Sequence, residues 1–85
     1  MTNQADIKSD TLTLLLAYHI HSDLPMQARA VKIMHCCQQI RDRTHDTVMF
    51  KACDDIIHAV SQRKFRAVMT VMKVADRKYA HVFKD

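Results

Sequence analysis

An all-α fold, a compact bundle of three to four helices, is what this 85-residue chain predicts, and three observations predict it. The chain has no Gly and a single Pro. Hairpin turns need positive φ, which Gly adopts without steric cost, so a chain lacking Gly is a poor source of β-hairpins. Apolar residues recur at steps of three and four along most of the sequence, the period of a helix that buries one face. The breaks between these stripes are short, so successive helices are expected to pack as antiparallel neighbours.

Residues 1–9 are polar and are expected to form a flexible N-terminus, leaving residues 10–85 as one helical domain. Ser9 or Asp10 is the candidate cap of a first helix that runs through Leu12, Leu15, Leu16 and Ile20. The same segment also alternates, with Leu12, Leu14, Leu16, Tyr18 and Ile20 at strand period. The chain offers no second strand to pair with it, and an unpaired strand leaves its backbone groups unsatisfied, so helix is preferred. A ribbon formed by residues 11–21 of two copies is the weaker alternative.

Asp23 and Pro25 mark the next boundary, Asp23 as N-cap and Pro25 in the first turn. The second helix is expected to end near Arg43 and to bury Met26, Ala30, Ile33, Cys37 and Ile40, with Val31 and Met34 widening the stripe. Thr44 or Asp46 caps the third helix, which turns Met49, Cys53, Ile56, Ile57 and Val60 inward and Lys51, Asp54, Asp55, His58 and Gln62 outward. Ser61 then caps a fourth helix, or the third runs on with a bend. The last stripe, Phe65, Val68, Met72, Ala75, Tyr79 and Val82, is the most regular.

Charge is distributed unevenly. Residues 1–62 carry six Lys or Arg and seven Asp, whereas residues 63–85 carry seven Lys or Arg and two Asp. On a helix Arg66, Lys73, Arg77 and Lys84 fall on one line, flanked by Arg63, Lys64 and Lys78. Such a line fits a phosphate backbone, where each neutralised phosphate releases a counterion, or an acidic protein face. A plain solvated helix face accounts for it as well. No aromatic residue interleaves with the cations, which argues against a single-strand stacking platform. Met69, Val71, Val74 and Phe83 add more apolar surface than one buried stripe uses; they are the candidate dimer or partner interface, and a two-fold homodimer is expected.

Other function classes find little support. Without Gly there is no phosphate-cradling loop and no dinucleotide fingerprint. The three cysteines, Cys36, Cys37 and Cys53, are odd in number and two are adjacent, which does not read as a disulfide framework. The six His and three Cys show none of the close ligand pairs of a zinc site, so no metal and no cofactor is expected. The closest approach is Asp54 with His58, four apart, which an ion pair explains equally well. Cys36 is the thiol expected to be most reactive, and His19 with Asp23 is a second candidate acid–base pair. A small bundle has little room for a water-excluding pocket, so no catalytic residue is expected. No apolar run is long enough to span a bilayer, and residues 1–10 lack the basic segment of a secretory leader, so a cytoplasmic protein is expected.

The expectation is therefore a small, non-catalytic regulatory protein that binds another macromolecule through its basic C-terminal helix. Nucleic acid is the favoured partner by charge, and a protein docked on an apolar helix face is the alternative.

Overall fold

The computed structural model describes residues 4–84, with side chains from 8 to 79. The described residues form four helices and no strand: α1 (Gln4–Ile20), α2 (Met26–Arg43), α3 (Thr47–Ser61) and α4 (Phe65–Lys84). Residues 11–21 are helical almost to their end, so they form no ribbon strand. α2 is the central element. It packs most extensively on α3 and also meets α1 and α4.

α1 starts earlier than its polar sequence predicts, and it faces inward differently. Ser9 and Asp10 lie inside the helix and cap nothing. Thr13 Oγ1 donates back to the Ser9 carbonyl at 2.9 Å. The buried residues are Asp10, Leu14 and Leu15, with Leu12 and Tyr18 half-buried, whereas Leu16 and Ile20 are exposed. Asp10, Leu14 and Tyr18 follow one another at single-turn steps, which places the carboxylate on the inward face. There Arg43 Nη2, at the far end of α2, donates to Asp10 Oδ1 at 3.0 Å. That long-range pair lies on the same face as the buried leucines of α1.

Asp23 is likewise not the cap of α2. Pro25 holds the N-cap position with no side-chain cap bond, and its carbonyl accepts the Arg29 N–H at 2.9 Å. Arg29 then ties α2 back to α1: its Nε donates to the Tyr18 carbonyl at 2.9 Å and its guanidinium carbon lies 3.7 Å from the Tyr18 ring centroid. One of the unpartnered carbonyls at the end of α1 is thereby satisfied. Ala30, Ile33, Cys37 and Ile40 are buried as the spacing requires, while Met26 is exposed.

α3 follows its sequence closely. Asp46 is the N-cap and accepts the Met49 N–H at 2.7 Å, and Met49, Cys53, Ile56 and Val60 are buried. The helix then ends rather than bending on, and Ser61 does not cap the next one, since its hydroxyl donates to the His58 carbonyl at 2.8 Å. The Lys64 N–H reaches the Ala59 carbonyl at 2.8 Å and the Arg63 N–H reaches the Val60 carbonyl at 2.9 Å. Those two bonds form a Schellman closure, whose C′ residue must be left-handed. Arg63 takes that place at φ 62°, where other chains use Gly.

Leu15, Ile33, Cys37, Ile40, Cys53 and Val68 are the fully buried centre of the core, to which all four helices contribute. Met72 completes the buried face of α4, with Phe65, Met69, Ala75 and Tyr79 half-buried against it. No helix is long and apolar enough to cross a membrane.

Candidate binding surface on the fourth helix

α4 presents three parallel lines of side chains, each one residue on from the last. Val68, Met72, Ala75 and Tyr79 form the core line. One position earlier, Ala67, Val71 and Val74 form a second apolar line that is exposed, with Val71 at 53% and Val74 at 59% of full accessibility. One position earlier again, Arg66, Thr70, Lys73 and Arg77 form a polar line, also exposed. Successive positions are about 100° apart, so the apolar line separates the cations from the core. Thr70 keeps its hydroxyl on its own helix, donating to the Arg66 carbonyl at 3.0 Å.

Half of the cations outside residues 63–85 are in ion pairs, whereas among the described residues Lys8, Arg29 and Lys32 are not. Arg41 pairs with Asp54 at 2.8 Å, Arg43 with Asp10 at 3.0 Å and Lys51 with Asp55 at 3.7 Å. Arg63, Lys64, Arg66, Lys73, Arg77 and Lys78 are all exposed, and among the described residues none of the six forms an ion pair. Lys78 Nζ lies 5.6 Å from the Tyr79 ring centroid. Asp76, on α4 itself, is engaged elsewhere: its Oδ1 meets His19 Nε2 of α1 at 2.7 Å. His19 is therefore a partner of Asp76 across α1 and α4.

The exposed apolar line borders a groove between α3 and α4. Ala52, Asp55, Ile56 and Ala59 of α3 and Ala67, Val68 and Val71 of α4 line it, and its volume is about 250 Å3. Val48, near the start of α3, is exposed one turn beyond Ala52 and lengthens the apolar surface.

The structure brings together Val71 and Val74 of the sequence-predicted interface but separates them from Met69. Met69 sits half-buried against the core on the opposite edge of α4. The side chains of Phe83 and Lys84 lie outside the described residues. The α3 contribution, Ala52 and Ala59, was missed by sequence reasoning. The only sequence signal is the seven-residue step that places both on one helix face.

The remaining reactive groups are tied up in the fold. All three cysteines are free thiols. Cys37 and Cys53 are buried, and a hydrogen bond to Cys53, reinforced by burial, pushes the Cys37 thiol well above its usual range. Burial raises Cys36 as well, which opposes the reactivity its sequence position suggests. His58 meets both the Asp54 carbonyl, at 2.9 Å, and the Asp54 carboxylate, at 3.3 Å. Among the described residues no group of three His, Cys or Asp side chains is placed to hold a metal ion. No family model, no curated protein and no solved structure matches the chain.

Proposed function

We propose that the protein is a small, non-catalytic regulatory module, acting in the cytoplasm, that docks an acidic protein partner against α4. The observation that carries this reading is the adjacency of two lines on that helix: exposed Val71 and Val74 beside Arg66, Lys73 and Arg77, which form no ion pair among the described residues. Exposed valines gain free energy only from a partner with apolar atoms to set against them. The cations raise the encounter rate with an acidic surface and select its sign. Free thiols at all three cysteines fit a reducing compartment.

Nucleic acid is the second reading, supported by the cation line itself. From Arg66 to Arg77 it runs about 16 Å along the helix, close to the rise of about five nucleotides of duplex. A phosphate backbone leaves the valine line with nothing to bury against, which ranks this reading second.

Affinity capture from untreated and nuclease-treated lysate in parallel tests the choice, using the wild-type chain, Val71→Asp and the triple variant R66A/K73A/R77A as baits. The docking reading expects a defined protein that survives nuclease and is lost with Val71→Asp. Recovery of nucleic acid alone, unaffected by Val71→Asp and abolished in the triple variant, overturns it.

A further inference from the structure

We infer that Cys37, Cys53 and Met49 form a buried three-sulfur site for Cu(I), a function separate from the surface on α4. The three side chains come from two packed helices. Cys37 lies on the core stripe of α2, and Met49 and Cys53 stand one turn apart on the core stripe of α3. All three are buried. The Cys53 thiol donates to Met49 Sδ at 3.9 Å. The Cys37 thiol hydrogen-bonds to Cys53 in turn, so the three sulfurs meet at Cys53.

Geometry and donor type together select the ion. Three sulfurs in a plane around one ion, with metal–sulfur bonds of about 2.3 Å, stand about 4 Å apart. The Cys53–Met49 separation already has that length. Thiolate and thioether are soft ligands, which favour Cu(I). Structural zinc takes four donors, drawn from thiolate, imidazole and carboxylate. Among the described residues no group of three His, Cys or Asp is placed to supply them, whereas a thioether completes the set for copper. The same buried cluster holds Ile33, Ile40 and Ile56. That apolar surround excludes water and offers none of the nitrogen and oxygen donors that Cu(II) prefers.

Binding exchanges two protons for one ion. The Cys37 and Cys53 S–H bonds break, two metal–thiolate bonds form, Met49 donates a lone pair, and copper stays Cu(I) throughout. The centre then carries one negative charge. The hydrogen bond from Cys37 lowers the Cys53 thiol, so Cys53 gives up its proton first. Cys36 is half-buried and close enough to Cys53 to feel its charge, and it offers the entering ion a first ligand.

The probe is Cu(I) supplied without oxygen as its bicinchoninate complex, whose colour reports transfer to the protein. Wild type is expected to take one ion per chain, and copper X-ray absorption to show a shell of sulfur alone at about 2.3 Å. Met49→Leu, which keeps the apolar volume, is expected to weaken binding at least tenfold. Cys53→Ala should abolish it, and Cys36→Ala should leave the final affinity unchanged. Melting temperature separates a native site from capture by loose thiols. An ion held only by the fold raises it, whereas an ion held better by the unfolded chain lowers it. No transfer of copper to wild type, a lowered melting temperature, nitrogen or oxygen in the shell, or undiminished affinity in Met49→Leu overturns the inference, and the three sulfurs are then core packing alone. So does abolition by Cys36→Ala, because the site is then centred on the half-buried thiol.

Discussion

Arg43 at the end of α2 donates to the Asp10 carboxylate near the start of α1 at 3.0 Å, and the two ends of this pair differ in surroundings: the Arg43 side chain is largely exposed while Asp10 is buried to 8%. Removing either partner is therefore unequal. Arg43→Ala strands a buried carboxylate, at a cost of about 2 kcal/mol. Asp10→Ala frees a guanidinium that water already reaches, so only the net bond is lost, about 1 kcal/mol. Urea titration of the two single variants and the double variant measures this. Equal single losses mean the predicted asymmetry is absent, and a double variant equal to their sum means the pair is not coupled.

Patterning on each helix explains which parts of the fold were legible. The stripes of α2 and α3 are apolar on one side and polar on the other, so Ile33, Cys37, Ile40, Cys53 and Val60 could be assigned inward from spacing alone. In α1 the leucines wrap around the helix, and the side that faces the core is set by tertiary packing, with Leu14 and Leu15 buried and Leu16 exposed, which no local pattern carries. The binding surface divides likewise. Its cations stand out in the sequence, but the groove lined by alanines over Ile56 and Val68 exists only where α3 and α4 meet. Ala52, Ala59 and Ala67 give no signal singly.

The turn between α3 and α4 stores strain at one residue. Arg63 adopts φ 62° to complete the Schellman closure, and a Cβ in that region costs about 1–2 kcal/mol. Arg63→Gly removes the clash but adds disorder to the unfolded chain. A net gain of about 0.5–1 kcal/mol is expected, read as a higher melting temperature. Arg63→Ala keeps the Cβ and should give no such gain. If Ala stabilises as much as Gly does, charge removal is the cause and backbone strain is not.

Helix capping gives a paired contrast. Asp46 accepts the Met49 N–H at 2.7 Å, so Asp46→Ala should cost about 1 kcal/mol. Asp23 lies outside the α2 cap, which Pro25 occupies, so Asp23→Ala should leave the denaturation midpoint within experimental error. Reversed effects mean that Asp23 and not Asp46 holds a helix end.

The thiols set an alkaline limit to stability. Burial raises Cys36, and the Cys53 hydrogen bond with burial raises Cys37 further. Unfolded thiols lose their protons from about pH 8.5 upward, while these two keep theirs in the fold. Cys53 is lowered by the same hydrogen bond and offsets part of this. With two thiols raised against one lowered, the folded state binds more protons than the unfolded state, so stability is full below that pH and falls as pH rises through it. Urea midpoints under reducing conditions should decline between pH 8 and 10, and Cys37→Ala should lessen the decline despite a lower midpoint overall. A disulfide-exchange reagent at pH 8 should label the native protein slowly and the urea-unfolded protein at once. Rapid labelling of native Cys37 is incompatible with its burial.

The cation line on α4 has a stability cost that a binding role explains. Lys73 and Arg77 stand one turn apart with the same sign, and like pairs at this spacing oppose the helix by about 0.2–0.5 kcal/mol. Lys73→Glu converts the repulsion into a favourable pair with Arg77 in the better orientation, a swing of about 0.5–1 kcal/mol. The variant should melt several degrees higher than wild type at low salt, with the difference shrinking as salt screens both terms. It should at the same time bind the acidic partner more weakly, because one cation of the line has become a carboxylate. Stability and binding moving in opposite directions at this exposed residue is the outcome the proposed docking function expects. A Lys73→Glu chain that melts no higher than wild type removes that argument, because the ridge would then carry no internal repulsion for a partner to offset.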